Sequence, residues 1–155
     1  MAFVNLIDRL YQLVLAVRAD VRAMQTSQSA ALGADVQMPT TGTWYSGPSV
    51  TLGAGTWLVK ATISCTRTTT TATAFVGRIW NGSVSVASAE ASHPSQANAH
   101  VCLAPHAVVT IAASTTYTAQ ATTTAGATTC LMKAATHDSG GGNHATRITA
   151  IRISP

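Results

Sequence analysis

Seven apolar residues near the start of the chain follow an unbroken 4-3 spacing: Phe3, Ile7, Leu10, Val14, Val17, Val21 and Met24. A mean repeat of 3.5 keeps one seam of a helix facing a partner helix. The spacing predicts an N-terminal coiled-coil helix over residues 1–25, serving oligomerisation or anchoring. Ile7, Val14 and Val21 fill one core position of the heptad; Phe3, Leu10, Val17 and Met24 fill the other. A β-branched first position with Leu at the second favours dimers, and Val17 in the second position moves the preference toward trimers. Leu6, Tyr11, Leu13 and Leu15 widen the stripe beyond a two-stranded seam. The competing expectation is an amphipathic helix folded back on its own domain.

Past the helix the pattern changes. Residues 26–40 (TSQSAALGADVQMPT) are small and polar and end near Pro39, which predicts a linker or partly wrapped arm. Beyond them the period becomes two: Trp57, Val59, Ala61, Ile63 and Cys65 alternate with more polar neighbours, as in a half-buried strand. Residues 73–80 and 83–90 flank Asn81-Gly82, a hairpin dipeptide whose tight form needs positive φ at both positions. Further strands are expected at 49–52, 99–103, 107–112, 115–122, 128–136 and 145–154. The Thr tracts 66–71 and 122–124 read as strand rather than linker. The fold class is mainly β: residues 41–155 form an antiparallel jelly-roll sandwich of 8–10 strands, preceded by the helix.

Composition sharpens this picture. Only 9% of residues are charged, so the polar surface rests on Thr, Ser, Asn and Gln. Such a surface suits dense assembly or carbohydrate contact, because little charge is desolvated on contact. The net charge of +4 comes from Lys60, Arg67, Arg78, Lys133, Arg147 and Arg152 in the β-part, against Glu90 and Asp138. These cations are scattered, which argues against nucleic acid as a partner. Cys65, Cys102 and Cys130 are odd in number and widely spaced, so they are expected to be buried free thiols. Residues 10–17 imitate a signal-peptide core, but Asp8 and Gln12 argue against it, and no stretch approaches a membrane span.

Candidate chemistry is sparse. Glycoside hydrolysis needs two carboxylates at one bond, and the β-part has only Glu90 and Asp138. His137-Asp138 lacks a nucleophile elbow, and Gly140-Gly141-Gly142 lacks the Lys and context of a phosphate loop. His93, His100 and His106 lack metal-ligand spacing and are expected at surfaces or interfaces. The sequence therefore predicts no enzyme, no catalytic residues, no cofactor and no metal site. A metal on a threefold axis is left open.

Four segments carry a resemblance: SVTLGAGTWLVKATISC (49–65), FVGRIWNGSVSVASAEA (75–91), TTYTAQA (115–121) and RITAIRIS (147–154). Together they resemble small trimeric jelly-roll knobs of bacteriophage virion proteins, whose architecture is that of complement heads and tumour-necrosis-factor-like domains. The resemblance spans about residues 43–155. It implies a homotrimer and a virion-surface role, without saying which part of the virion. The first expectation is a head fibre, decoration or spike, assembled in the host cytoplasm and held to other virion proteins by its N-terminal helix. The alternatives are a receptor-binding tail-fibre tip recognising host-surface glycan, and a bacterial lectin-like adhesin. For glycan contact the expected loops are 92–98 and 137–144, with His93, Gln96, Asn98, His137, Asp138, Asn143 and His144 as candidates.

Overall fold

A computed structural model describes residues 2–24, 26–135 and 146–154. Helix α1 spans Ala2–Met24. Eleven strands follow among the described residues: β1 Ser27–Ala31, β2 Val36–Met38, β3 Tyr45–Leu52, β4 Gly55–Arg67, β5 Thr73–Trp80, β6 Ser85–His93, β7 His100–Leu103, β8 His106–Ile111, β9 Thr115–Thr123, β10 Ala127–Met132 and β11 Arg147–Ser154. They form two antiparallel sheets, a jelly-roll sandwich as the alternation predicts.

The larger sheet is organised by β4, which is long enough to hold two neighbours on each side. β8 pairs with its first half and β7 with its second, while β11 and β10 divide the other side in the same way. Pro105, between β7 and β8, accepts a hydrogen bond from the Ala61 amide at 2.9 Å, which keeps the ladder closed across the break. β1 extends the sheet beyond β11, and β2 extends it beyond β10. The smaller sheet runs β3-β9-β5-β6.

The alternating side chains meet between the sheets. Trp57, Val59, Ala61, Ile63 and Cys65 of β4 are buried with Ile148 and Ala150 of β11. Phe75, Ile79, Tyr117, Ala119 and Ala121 come from the smaller sheet. Gly77 marks a close approach: a Cβ there would lie 2.9 Å from the Ile63 and Leu103 methyls across the sandwich.

The expectations need several corrections. Residues 26–40 are no mere linker, because β1 and β2 lie within them and pair with β11 and β10. Their sequences, SQSAA and VQM, carry little β signal of their own; the open edges of β11 and β10 recruit them. The tract 66–71 is strand only to Arg67, and the remainder belongs to the β4–β5 connection. At Asn81-Gly82 only Gly82 has positive φ, 94°. The Asn81 carboxamide oxygen instead accepts from the Ser83 and Val84 amides at 3.0 and 2.8 Å, an Asx turn that delays β6 to Ser85.

Candidate assembly and recognition surfaces

Helix α1 begins with what it does not touch. All described side chains from Asn5 to Arg22 are exposed, including the seam residues Ile7, Leu10, Val14, Val17 and Val21. Leu6, Tyr11, Leu13 and Leu15 are exposed as well. The helix meets its own sandwich near β11 alone among element pairs with substantial contact, so folding back on the domain is not the arrangement. The side chains of Phe3 and Met24 lie outside the described set. A helix of 23 residues is about 34 Å long, and the described apolar side chains along it, from Leu6 to Val21, face water.

A second apolar surface lies on the outer face of the larger sheet. In register, Val108 of β8 stands opposite Leu58 of β4, and Leu58 stands opposite Ile151 of β11. Val108 is 62% exposed and Ile151 46%. These three neighbours make a stripe across three strands, bordered by the Thr56–Thr110 hydroxyl pair at 3.1 Å and by Lys60 and Thr149. An open depression lies along the stripe, lined by Leu58, Lys60, Thr62, Arg147, Thr149 and Ile151. The root of α1 reaches the same sheet: two residues after Met24, the Thr26 carbonyl accepts from the Arg152 amide, and β1 then pairs with β11.

The outer face of the smaller sheet is different. Ser46, Gln120, Arg78 and Ser88 form one row across its four strands. Arg78 Nε donates to Gln120 Oε1 at 2.8 Å, and Gln120 Nε2 donates to Ser46 Oγ at 3.0 Å. The guanidinium carbon lies 3.9 Å from the ring centre of Trp44 and 4.0 Å from that of Trp80. Both are cation–π distances. Trp80 stands two residues along β5 from Arg78, hence on the same face. Trp44 is delivered by the entry to β3, where Gly42 (φ 72°) turns the chain and its amide bonds the Thr123 carbonyl at 3.1 Å. A bulge follows between Ser46 and Ser49, at Gly47-Pro48, where the missing proline amide costs no ladder bond. Partial burial between the indoles pushes the Arg78 pKa down.

No family model and no curated protein matches this chain. Among solved structures it is similar to the Eiger TNF of S. frugiperda, at 11% identity and a TM-score of 0.42, over 83% of this chain and 85% of that one. It is also similar to a chain of infectious bursal disease virus, Gx strain, at 11% identity and a TM-score of 0.46 over 84% of this chain. The match spans 38% of that viral chain.

The loop candidates separate. His93 is not a contact residue: it closes β6, is 2% exposed, and meets the Phe75 ring edge-on at 5.9 Å. Its Nε2 lies 2.7 Å from the Ala99 carbonyl, to which a protonated Nε2 donates, tying the end of β6 to the following loop. It sits at an inward position of β6, and strand parity overrode its polarity. Gln96 and Asn98 are exposed in that loop, and Asn98 adopts φ 61°. His137, Asp138, Asn143 and His144 lie outside the described residues. The cysteines also divide: Cys65 and Cys130 are buried, whereas Cys102 is exposed because β7 turns it outward. Burial pushes the Cys65 thiol pKa well up. Glu90 is exposed on β6, and no cluster of three His, Cys, Asp or Glu occurs among the described residues. The sequence reading missed the Trp44–Arg78–Trp80 group, whose one local signal was the Arg-Ile-Trp alternation of β5.

Proposed function

We propose that this chain is a structural protein of a bacteriophage virion surface, a homotrimeric head fibre, decoration or spike anchored to other virion proteins through α1. The observation that carries the reading is the heptad seam, whose described side chains Ile7, Leu10, Val14, Val17 and Val21 are all exposed. Three helices joined by this seam bring three knobs together by their roots. The stripe Val108–Leu58–Ile151 lies on the sheet that holds that root, so it supplies a second contact between subunits. A trimer also gives a small sandwich additional buried area. We assign it no enzymatic activity, since residues 26–155 hold few side-chain carboxylates: Asp35 is committed to Lys133, and Glu90 and Asp138 are the others.

Sedimentation of the purified chain tests the assembly. Three subunits are expected, and Val14→Asp should dissociate them by placing three carboxylates around one apolar axis. A wild-type monomer at micromolar concentration overturns the trimer. Antibody labelling of purified particles tests the virion assignment separately. A second reading, a receptor-binding tip for host-surface glycan, draws on the outward Trp44–Arg78–Trp80 group.

A further inference from the structure

We propose that Trp44, Arg78 and Trp80 form a subsite for the carboxylate of an acidic sugar. The inference deepens the receptor-binding reading and is independent of the trimer. Its starting point is an arginine whose orientation is fixed but whose charge is unused. Nε is committed to Gln120, a side chain 9% exposed and itself held by Ser46. The two indoles flank the guanidinium carbon. The terminal nitrogens make no hydrogen bond to a described residue, and they are absent from the buried unpartnered atoms. Toward the described residues these donors are therefore free.

Among the described residues no carboxylate forms an ion pair with this group. The ion pair among the described residues is Lys133–Asp35, on the other sheet. Glu90 stands opposite Val76, one diagonal step from Arg78, and forms no ion pair. A planar guanidinium of fixed plane, with its paired donors outward, matches a carboxylate in bidentate geometry.

The surroundings select the kind of anion. Arg78 is the one Lys or Arg on the four strands β3, β5, β6 and β9. A polyphosphate or nucleic acid needs several cations along its length; one carboxylate on an otherwise neutral ligand needs one. The remainder of the face is hydroxyl, amide and indole: Ser46, Ser88, Thr118 and Gln120 lie in the same or the next register rows. Hydroxyls and amides suit sugar hydroxyls, and half-buried indoles offer apolar surface to a sugar ring. A uronic acid presents both chemistries at once.

The test is titration of the purified full chain with sodium glucuronate, glucose and inorganic phosphate, followed by NMR of the indole N–H groups. Trp57 is the internal control, because its Nε1 is bonded to the Gly53 carbonyl at 3.0 Å and its ring is buried. Glucuronate should shift the Trp44 and Trp80 signals saturably and leave Trp57 unmoved. Arg78→Gln should weaken binding about tenfold or more, the scale of a lost charge-assisted contact. Arg78→Lys should also weaken it, since the charge survives without the fork. Glucose binding as tight as glucuronate overturns the role of the charge. Phosphate binding as tight overturns the sugar. No saturable shift in the wild-type chain overturns the subsite, whether or not the variants fold. None of these failures touches the virion assignment, which particle labelling decides.

Discussion

The Arg152 amide donates to the Thr26 carbonyl at 3.0 Å, joining the root of α1 to the last strand. The bond opens the β1–β11 ladder, in which Ser27 pairs with Ile151 and Ala31 with Arg147. The helix is thus fastened to the sandwich through main chain, two residues beyond its last turn.

That fastening sets where the chain can be cut. A chain starting at Thr26 keeps β1 and should retain the full β circular-dichroism signal as a smaller oligomer. A chain starting at Gln37 loses β1 and opens the edge of β11. It should melt lower and scatter light on heating. Equal melting temperatures for the two truncations would show that β1 contributes nothing to the sandwich.

Two glycines should differ in what they tolerate. An alanine Cβ at Gly77 meets the Ile63 and Leu103 methyls at 2.9 Å, and side-chain ends can yield. The cost should be about 1–3 kcal/mol, that of an overpacked core. At Gly126 the Cβ runs into the Thr41 amide nitrogen and the Thr40 carbonyl carbon, which are backbone. The Gly126 amide also donates to Thr41 Oγ1 at 2.7 Å. Urea denaturation should rank Gly126→Ala as the more damaging substitution.

The thiols give a direct readout of the native state. Cys102 is exposed, whereas Cys65 and Cys130 are buried. The Cys65 thiol is held protonated chiefly by desolvation, with the neighbouring thiols adding to it. An aromatic disulfide reagent should titrate one thiol per folded chain and three in denaturant. Cys102→Ser should abolish the native reaction.

Asp35 links the turn after β1 to the chain after β10. Its carboxylate pairs with the Lys133 ammonium and accepts from the Ala134 amide at 2.8 Å. Desolvation pushes its pKa up, but Lys133 and the Ala134 amide outweigh it and leave it below the ordinary value. A folded pKa below the unfolded one adds stability that is full above about pH 4 and is lost as pH falls through the lowered value. With the carboxylate 36% exposed, the contribution is at most about 1 kcal/mol. Asp35→Asn should melt slightly below wild type at neutral pH, and the difference should vanish once the pH falls below the lowered Asp35 value.

The sequence by itself determined whatever follows from repeat and parity. Spacing of 4-3 defined α1, because an apolar stripe is a local property of a helix. Alternation along 57–65 and 73–80 defined the inward faces of β4 and β5, because a strand has no other period. Tertiary structure decided what depends on a neighbour. SQSAA became a strand because β11 had an open edge, not through its own preference. His93 entered the core because its position on β6 points inward and a carbonyl waits for its ring nitrogen. Above all, Trp44 and Arg78 are 34 positions apart, and no periodicity relates them. The β3-β9-β5 order sets Ser46 and Arg78 on either side of Gln120, and with them the two indoles beside one guanidinium. Strand order in a sandwich is set by long-range pairing, which a local pattern does not encode.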